Sequence, residues 1–386
     1  MKGPARFLRI YILFTLLTLY GCTAHSPQLF IGKEHHAPIE PVGVYAVAGQ
    51  YIWDSWIVED EGTLHRYALS APSDKLTPNE RHQHAFVRHA ISQNGGVTWQ
   101  DMGPAIQPSG KKGVWPDKVI WTSSVMIREV DGEKQFLMFI TGRNEENNDE
   151  MNQSIGVSTS KDGHHFTSPQ IILPPTEQVT KLGYDITNDD GIIMAWRDPF
   201  VIQDPATRKW HMFFSAKSKD ACGTIRPTVG HAIATDNTLM NWQLEEPLKL
   251  PQHYRQLEVP YMIARGGKYY LFVSTQNNPT MDNNRDKEAA FRGFVSDETI
   301  IGQWELLYTV NEGQETDKIF GHQIYAPTIF EKKRGSGEYG AVTFFSLNTM
   351  CPLTGSPIVE IRWRNERPEF MFNKDLGCCL PYNCLD

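Results

Sequence analysis

The stretch Trp53-Asp54-Ser55-Trp56-Ile57-Val58-Glu59-Asp60-Glu61-Gly62, running on to His65-Arg66-Tyr67-Ala68-Leu69, reads as a short apolar strand, a polar turn and a second strand rich in aromatics. The pattern recurs. Ser124-Val-Met-Ile-Arg-Glu-Val-Asp-Gly runs on to Phe136-Leu-Met-Phe-Ile, and Asp198-Pro-Phe-Val-Ile-Gln-Asp-Pro to Trp210-His-Met-Phe-Phe. Val259-Pro-Tyr-Met-Ile-Ala-Arg-Gly-Gly leads to Tyr269-Tyr-Leu-Phe-Val, and Ala326-Pro-Thr-Ile-Phe to Gly340-Ala-Val-Thr-Phe-Phe. The copies start at 54, 124, 198, 259 and 326.

A second kind of hairpin alternates with the first: His89 to Trp99, Gly156 to Phe166, His231 to Trp242, Gly293 to Trp304, and a worn copy from Ile361 to Phe370. Each has a strand, a turn carrying Asn, Asp or Gly, and an aromatic opening the next strand. Two hairpins per unit and five units predict an all-β, five-bladed β-propeller of four-stranded antiparallel blades. An open β-sandwich is the alternative, and the regular alternation of hairpin types argues against it. No heptads, Gly-rich phosphate loop or βαβ alternation is present.

Composition narrows the partners. A net charge of −8 over 386 residues argues against nucleic acid or an anionic membrane surface as the main partner. Ten Trp are spread along the chain, which suits stacking on sugars and suits a large sheet core equally well. Lys2, Arg6 and Arg9 precede an apolar run from Ile10 to Tyr20, about the length of a signal-peptide core and short for a membrane span. Leu19-Tyr20-Gly21-Cys22 resembles a bacterial lipoprotein box, with Cys22 as the lipidated residue; Tyr20 is bulkier than the small residue usual there. The expectation is export, as an envelope lipoprotein (periplasmic or anchored to the outer membrane) or by ordinary secretion. The division expected is a signal peptide over 1–21, a tether over 22–45, the propeller over 46–372 and a Cys-containing tail over 373–386. In an exported chain Cys222, Cys351, Cys378, Cys379 and Cys384 make disulfides plausible, concentrated near the C-terminus, with an unpaired thiol left by parity.

In a propeller the innermost strands line the axis, so residues opening equivalent strands converge. Aligning the copies puts Asp54 and Asp198 at one place and Glu258 just before the fourth strand; Thr122 or Ser123 and Tyr325 hold related places. Carboxylates turned into a shared cavity are costly to desolvate without a partner or a task. Two of them facing a glycosidic bond supply the chemistry of glycoside cleavage, and Arg197 beside Asp198 favours its ionised form. Singly, each acid could equally open a strand or cap a turn.

These residues carry a family resemblance. Trp53-Asp54-Ser55-Trp56 resembles the Trp-Asp-Ser-Trp segment of glycoside hydrolase family 68, the levansucrases. Trp196-Arg197-Asp198-Pro199-Phe200 resembles the Arg-Asp-Pro motif shared with the invertases and fructanases of family 32. Leu257-Glu258-Val259-Pro260 is similar to the segment bearing the acid/base Glu, and Trp121-Thr122-Ser123 to the Trp-Ser-Gly stretch lining the family 68 sugar pocket. The resemblance implies a retaining hydrolase or fructosyltransferase acting on β-fructosides such as sucrose. Asp54 would be the nucleophile, Asp198 the transition-state stabiliser and Glu258 the general acid/base. Trp53, Trp121, Thr122, Arg197 and Gln276 would bind substrate.

The sequence departs from levansucrases in two places. Arg255-Gln256-Leu257-Glu258-Val259 lacks their flanking acid and Arg, and Gln276 and Asn277 stand near where they place an Arg facing the second sugar. A pentose-directed glycosidase of the family 43 type and a non-catalytic carbohydrate-binding propeller are the alternatives. No cofactor and no metal are expected in the site, and the irregularly spaced His82, His84, His89, His164 and His165 do not form a ligand pattern. Some relatives bind a structural calcium, for which the acidic loop Asn144 to Glu150 is the candidate; a solvated loop is the other reading. The chain is expected to act as a monomer.

Overall fold

The five first-copy hairpins are the inner halves of five four-stranded antiparallel sheets, and the five second-copy hairpins are the outer halves. The computed structural model describes residues 42–145, 153–187, 189, 193–251, 254, 256–276, 290–297, 299–307, 309–311, 314–316, 325–344 and 353–371. Blade 1 comprises β1 (Gln50–Asp60), β2 (Thr63–Pro72), β3 (Phe86–Ser92) and β4 (Gln100–Ile106). Blade 2 comprises β5 (Val119–Val130), β6 (Glu133–Arg143), β7 (Gln153–Ser160) and β8 (Gln170–Leu173). Blade 3 is β9 (Trp196–Gln203), β10 (Trp210–Lys219), β11 (Ile225–Ala234) and β12 (Trp242–Leu244). Blade 4 is β13 (Gln256–Arg265), β14 (Lys268–Gln276), β15 (Ala290–Ser296) and β16 (Glu305–Leu307). A small hairpin, β17 (Thr309–Asn311) and β18 (Gln314–Thr316), precedes blade 5, which is β19 (Thr328–Glu331), β20 (Tyr339–Val342), β21 (Val359–Arg364) and β22 (Arg367–Met371). The protein is a five-bladed β-propeller.

Each blade buries one face against the next, so the core is divided into clusters at blade interfaces rather than gathered in one mass. Trp56, Tyr67, Met138 and Ile140 join blades 1 and 2; Phe139, Trp196 and Phe214 join blades 2 and 3. Phe213, Met262 and Leu271 join blades 3 and 4; Phe272, Ile329 and Val359 join blades 4 and 5. Ile57, Leu64, Phe330 and Val342 close the ring between blades 5 and 1.

Ring closure has a polar latch as well. Tyr45 exchanges backbone hydrogen bonds with Gly355 (3.0 and 2.8 Å), and Ile52 N–H donates to the Leu353 carbonyl. The fully buried Arg66 on β2 donates to Ser55 Oγ and to the Ser356 carbonyl (2.8 Å), with its guanidinium packed over Tyr45 and Trp99. Gly355 has no Cβ because one there would lie 2.1 Å from Arg66 Nη2. Gly43 and Tyr45, expected in the tether, are thus bonded into the closure. The segment read as a signal peptide, Cys22, Cys351 and the C-terminal cysteines lie outside the described residues; among the described residues Cys222 carries a free, exposed thiol.

A bulge recurs at one place on the inner strand of the first four blades. The ladder slips between Trp53 and Ser55 on β1, between Trp121 and Ser124 on β5, opposite Phe213–Ser215 on β9, and between Glu258 and Tyr261 on β13. Four non-glycine residues at this place take positive φ: Asp54 (41°), Asp198 (58°), Val259 (50°) and, just before β19, Ala326 (49°). In three of them a proline follows, Pro199, Pro260 or Pro327. Proline has no N–H for a ladder, and a bulge is the interior strand position that requires none. Strained backbone at matched positions re-aims side chains toward the axis.

Candidate active site

The bulges open onto a cavity of about 430 Å³ at the axial mouth where the inner strands begin. Its walls include Trp53, Asp54, Arg81, Trp121, Arg197, Asp198, Gln256, Glu258 and Tyr325. A larger depression, about 1040 Å³, lies at the opposite mouth, where the inner hairpins turn. That one is lined by turn residues such as Glu59, Lys332 and Arg334, with Lys134 paired to Asp60 and Glu61, and has no indole among its described lining residues. Converging acids and aromatic walls assign the chemistry to the smaller cavity.

Register explains which side chain each strand contributes. Arg197 pairs with Ser215, Glu258 with Ser274 and Trp121 with Thr141, so Arg197, Glu258, Trp121 and Trp53 share one position. Asp54, Asp198, Val259 and Thr122 share the next. The sequence alignment of Asp54 with Asp198 therefore corresponds to structural equivalence, while Glu258 comes from the neighbouring position and from within β13 rather than ahead of it.

Hydroxyls on the second strands tie the bulges together. Asp198 N–H donates to Thr141 Oγ1 of blade 2 (2.8 Å), and Ala326 N–H donates to Ser274 Oγ of blade 4 (2.9 Å). Between blades 3 and 4 the carboxylate of Asp198 takes that place: its Oδ2 accepts from Ser215 Oγ (2.8 Å) and from Val259 N–H (3.1 Å). Asp198 is thereby fixed on both sides. Arg197, also buried, donates through Nη2 to Glu258 Oε1 (2.7 Å) and to Gln256 Oε1 (2.5 Å), through Nη1 to the Met194 carbonyl (2.9 Å), and has Nε 3.8 Å from Asp198 Oδ2. One guanidinium thus holds two of the three acids.

Asp54 lies on the other side. Its Oδ2 accepts a 2.5 Å bond from Thr122 Oγ1. Burial drives the Asp54 carboxyl up to about 7; Thr122 and Arg81 oppose the rise, and the neighbouring Asp198 and Glu258 add to it. Burial likewise pushes Asp198 up to about 6, with Arg197 the main opposing influence. The wall is partly polar and partly aromatic. Trp53, almost fully buried, meets His82 edge to face, and Trp121 donates from Nε1 to the His82 carbonyl (2.7 Å) while its ring carries Arg143. Trp56 points away and stacks on Tyr67 within the interface of blades 1 and 2.

Trp53, Asp54, Trp121, Thr122, Arg197, Asp198 and Glu258 all line this cavity. Gln276 ends β14 opposite Gln256, and its side chain lies outside the described residues. Sequence reasoning did not place Arg81 or His82 in this pocket; they sit on a short 3-10 helix (Glu80–Gln83) inserted between β2 and β3. The Arg-His-Gln-His run was a visible signal, but nothing in the repeat predicts where a loop folds. Among the described residues no group of His, Cys, Asp and Glu is arranged to hold a metal ion, and the calcium reading falls mostly on residues 146–150, outside them.

The axial pocket of this propeller gathers two aspartates, a glutamate, a clamping arginine and indole walls, the kinds of group that glycoside cleavage uses. A sequence profile described as the glycosyl hydrolases family 32 N-terminal domain matches residues 75–344, and the chain belongs to that family. The chain is 23% identical over 286 residues to sucrose-6-phosphate hydrolase of Escherichia coli, covering 69% of this chain and about half (53%) of that protein. Its fold is similar to inulosucrase from Halalkalicoccus jeotgali (22% identity, TM-score 0.65, covering 84% of this chain and 87% of that one). It is also similar to levansucrase from Gluconacetobacter diazotrophicus (18%, 0.63, covering 86% and 82%) and to the catalytic domain of a β-fructofuranosidase from Microbacterium saccharophilum (18%, 0.62, covering 83% and 81%).

Proposed function

We propose that this protein is a retaining glycoside hydrolase or fructosyltransferase that cleaves β-fructosides such as sucrose. The observation that carries the reading is the convergence of Asp54, Asp198 and Glu258, from three different blades, on one aromatic-walled cavity in a chain of this family. The Asp54 carboxylate attacks the anomeric carbon while the glycosidic C–O bond breaks, and Glu258 gives its proton to the departing oxygen. The fructosyl-Asp54 ester is then resolved by water or a sugar hydroxyl, whose proton passes to Glu258 as its oxygen displaces Asp54. Asp198, held by Ser215, Val259 and Arg197, balances the positive charge that develops on the ring. The high Asp54 carboxyl is relieved as that charge grows beside it. Trp53 and Trp121 wall the fructosyl unit. The basic residues before Ile10 and the segment ending at Cys22 support an exported, envelope-tethered enzyme.

The test is release of glucose from sucrose, alongside a panel of other fructosides and arabinosides. The wild type releases sugar, and Asp54→Asn and Glu258→Gln, still folded, lose turnover by ~10³-fold or more. Sugar binding without release anywhere in the panel makes the protein a carbohydrate-binding propeller instead.

A further inference from the structure

The insertion between β2 and β3 brings a cation into the pocket that the three-acid scheme does not use. Arg81 is 9% exposed, lines the cavity, and lays its guanidinium 5.2 Å from the centre of the Trp53 ring. Its Nη1 donates to the Pro78 carbonyl, while its Nε is buried with no hydrogen-bond partner among the described residues. A buried guanidinium N–H without an acceptor is costly, and an oxygen of a bound ligand is one group that can satisfy it. The groups facing Asp54 are Thr122 on β5, Asp198 on β9, Glu258 on β13 and Arg81 on the inserted helix. Among these described groups Arg81 carries the positive charge, while Arg197 on β9 pairs with Glu258 and Asp198.

We propose that Arg81 is a substrate-binding residue on the nucleophile side of the pocket: its guanidinium donates to an oxygen of the bound fructosyl unit and its charge favours the ionised nucleophile. The inference rests on the assignment of Asp54 as that nucleophile. Two independent features support it. Packing over Trp53 fixes the guanidinium plane beside the residue that walls the sugar, as a fork meant for hydrogen bonding requires. Electrostatically, Arg81 already offsets part of the rise that burial and two like charges impose on the Asp54 carboxyl. A purely architectural Arg, there only to close the Pro78 turn, would contribute nothing to sugar affinity.

Lys and Met substitutions separate the two contributions, because Lys keeps the charge and loses the fork. With sucrose as the probe, Arg81→Met raises KM about tenfold or more and moves the acid limb of kcat/KM up by roughly one pH unit. Arg81→Lys raises KM similarly and leaves the acid limb near its wild-type position. Far-UV circular dichroism and the melting temperature establish that each variant folds; if Arg81→Met does not, Arg81→Gln replaces it with the same expectations. An acid limb that stays in place without the charge, or a KM unchanged in both variants, overturns the proposal. If Asp54→Asn keeps turnover, the underlying assignment fails instead, independently of Arg81.

Discussion

Replacing Thr122 by Val isolates one hydrogen bond at Asp54, the proposed nucleophile. Thr122 is 4% exposed and its Oγ1 lies 2.5 Å from Asp54 Oδ2; Val has nearly the same shape without the donor. A hydrogen bond to a charged group contributes about 1.5–3 kcal/mol, and 1.36 kcal/mol corresponds to one pKa unit, so losing it moves Asp54 up by about 1–2 units. Burial pushes the Asp54 carboxyl up to about 7, which leaves it about half ionised at neutral pH in the wild type. In Thr122→Val the ionised fraction at pH 7 falls to roughly 1–10%, and kcat/KM falls roughly 5- to 50-fold. The defect is largest in acid and narrows as pH rises, because the variant then recovers its carboxylate. The assay is the pH profile of kcat/KM on sucrose, with Thr122→Ser, which keeps the hydroxyl, retaining the wild-type acid limb. A uniform loss at every pH, or an acid limb that does not move, would refute the reasoning that this bond sets the charge of Asp54.

Two stability predictions follow from the same groups and from the histidines. The Asp54 carboxyl titrates above the ordinary carboxylate range in the fold, so its ionisation opposes folding increasingly from about pH 4 to 7. Asp54→Asn is therefore more stable than wild type by roughly 1–4 kcal/mol at pH 8, with the gain gone near pH 4; urea denaturation at the two values measures it, and an equal gain at both would contradict the linkage. Blades 1 and 3 carry matched buried pairs, His65 with His89 (3.1 Å) and His211 with His231 (2.9 Å), and burial holds His89 and His231 down to about 3. Because these rings stay neutral in the fold and become charged once unfolded, the stability they allow is full above about pH 6.5 and is lost as pH falls toward 3. At pH 5 each such ring costs about 2 kcal/mol relative to pH 7.5, read as the difference in urea-denaturation pH dependence between wild type and His231→Phe. A pH dependence identical in the two proteins would show that His231 titrates normally.

The repeat itself was legible because blade architecture is local. Each hairpin needs its own apolar alternation and its own turn, and these leave their marks within about a dozen residues of chain. Five such marks at related spacing determined the propeller, and the shared place of Asp54 and Asp198 could be read before any coordinates. The prolines after 198, 259 and 326 mark the bulge once the strands are paired, since proline is excluded from regular interior ladder positions.

What the tertiary structure decided is whatever depends on one blade meeting another. Glu258 shares its register position with Trp53 and Arg197 rather than with the aspartates, which follows from pairing across β13 and β14. Thr122 meets Asp54 across 68 residues of chain, and Arg197 meets Glu258 across 61. Arg81 reaches the pocket on an insertion that belongs to no repeat. Periodicity specifies which face of a strand is buried, a property of consecutive residues. The charge state of a carboxylate depends on distances through space to groups on other strands, and only the closed ring of blades fixes those distances.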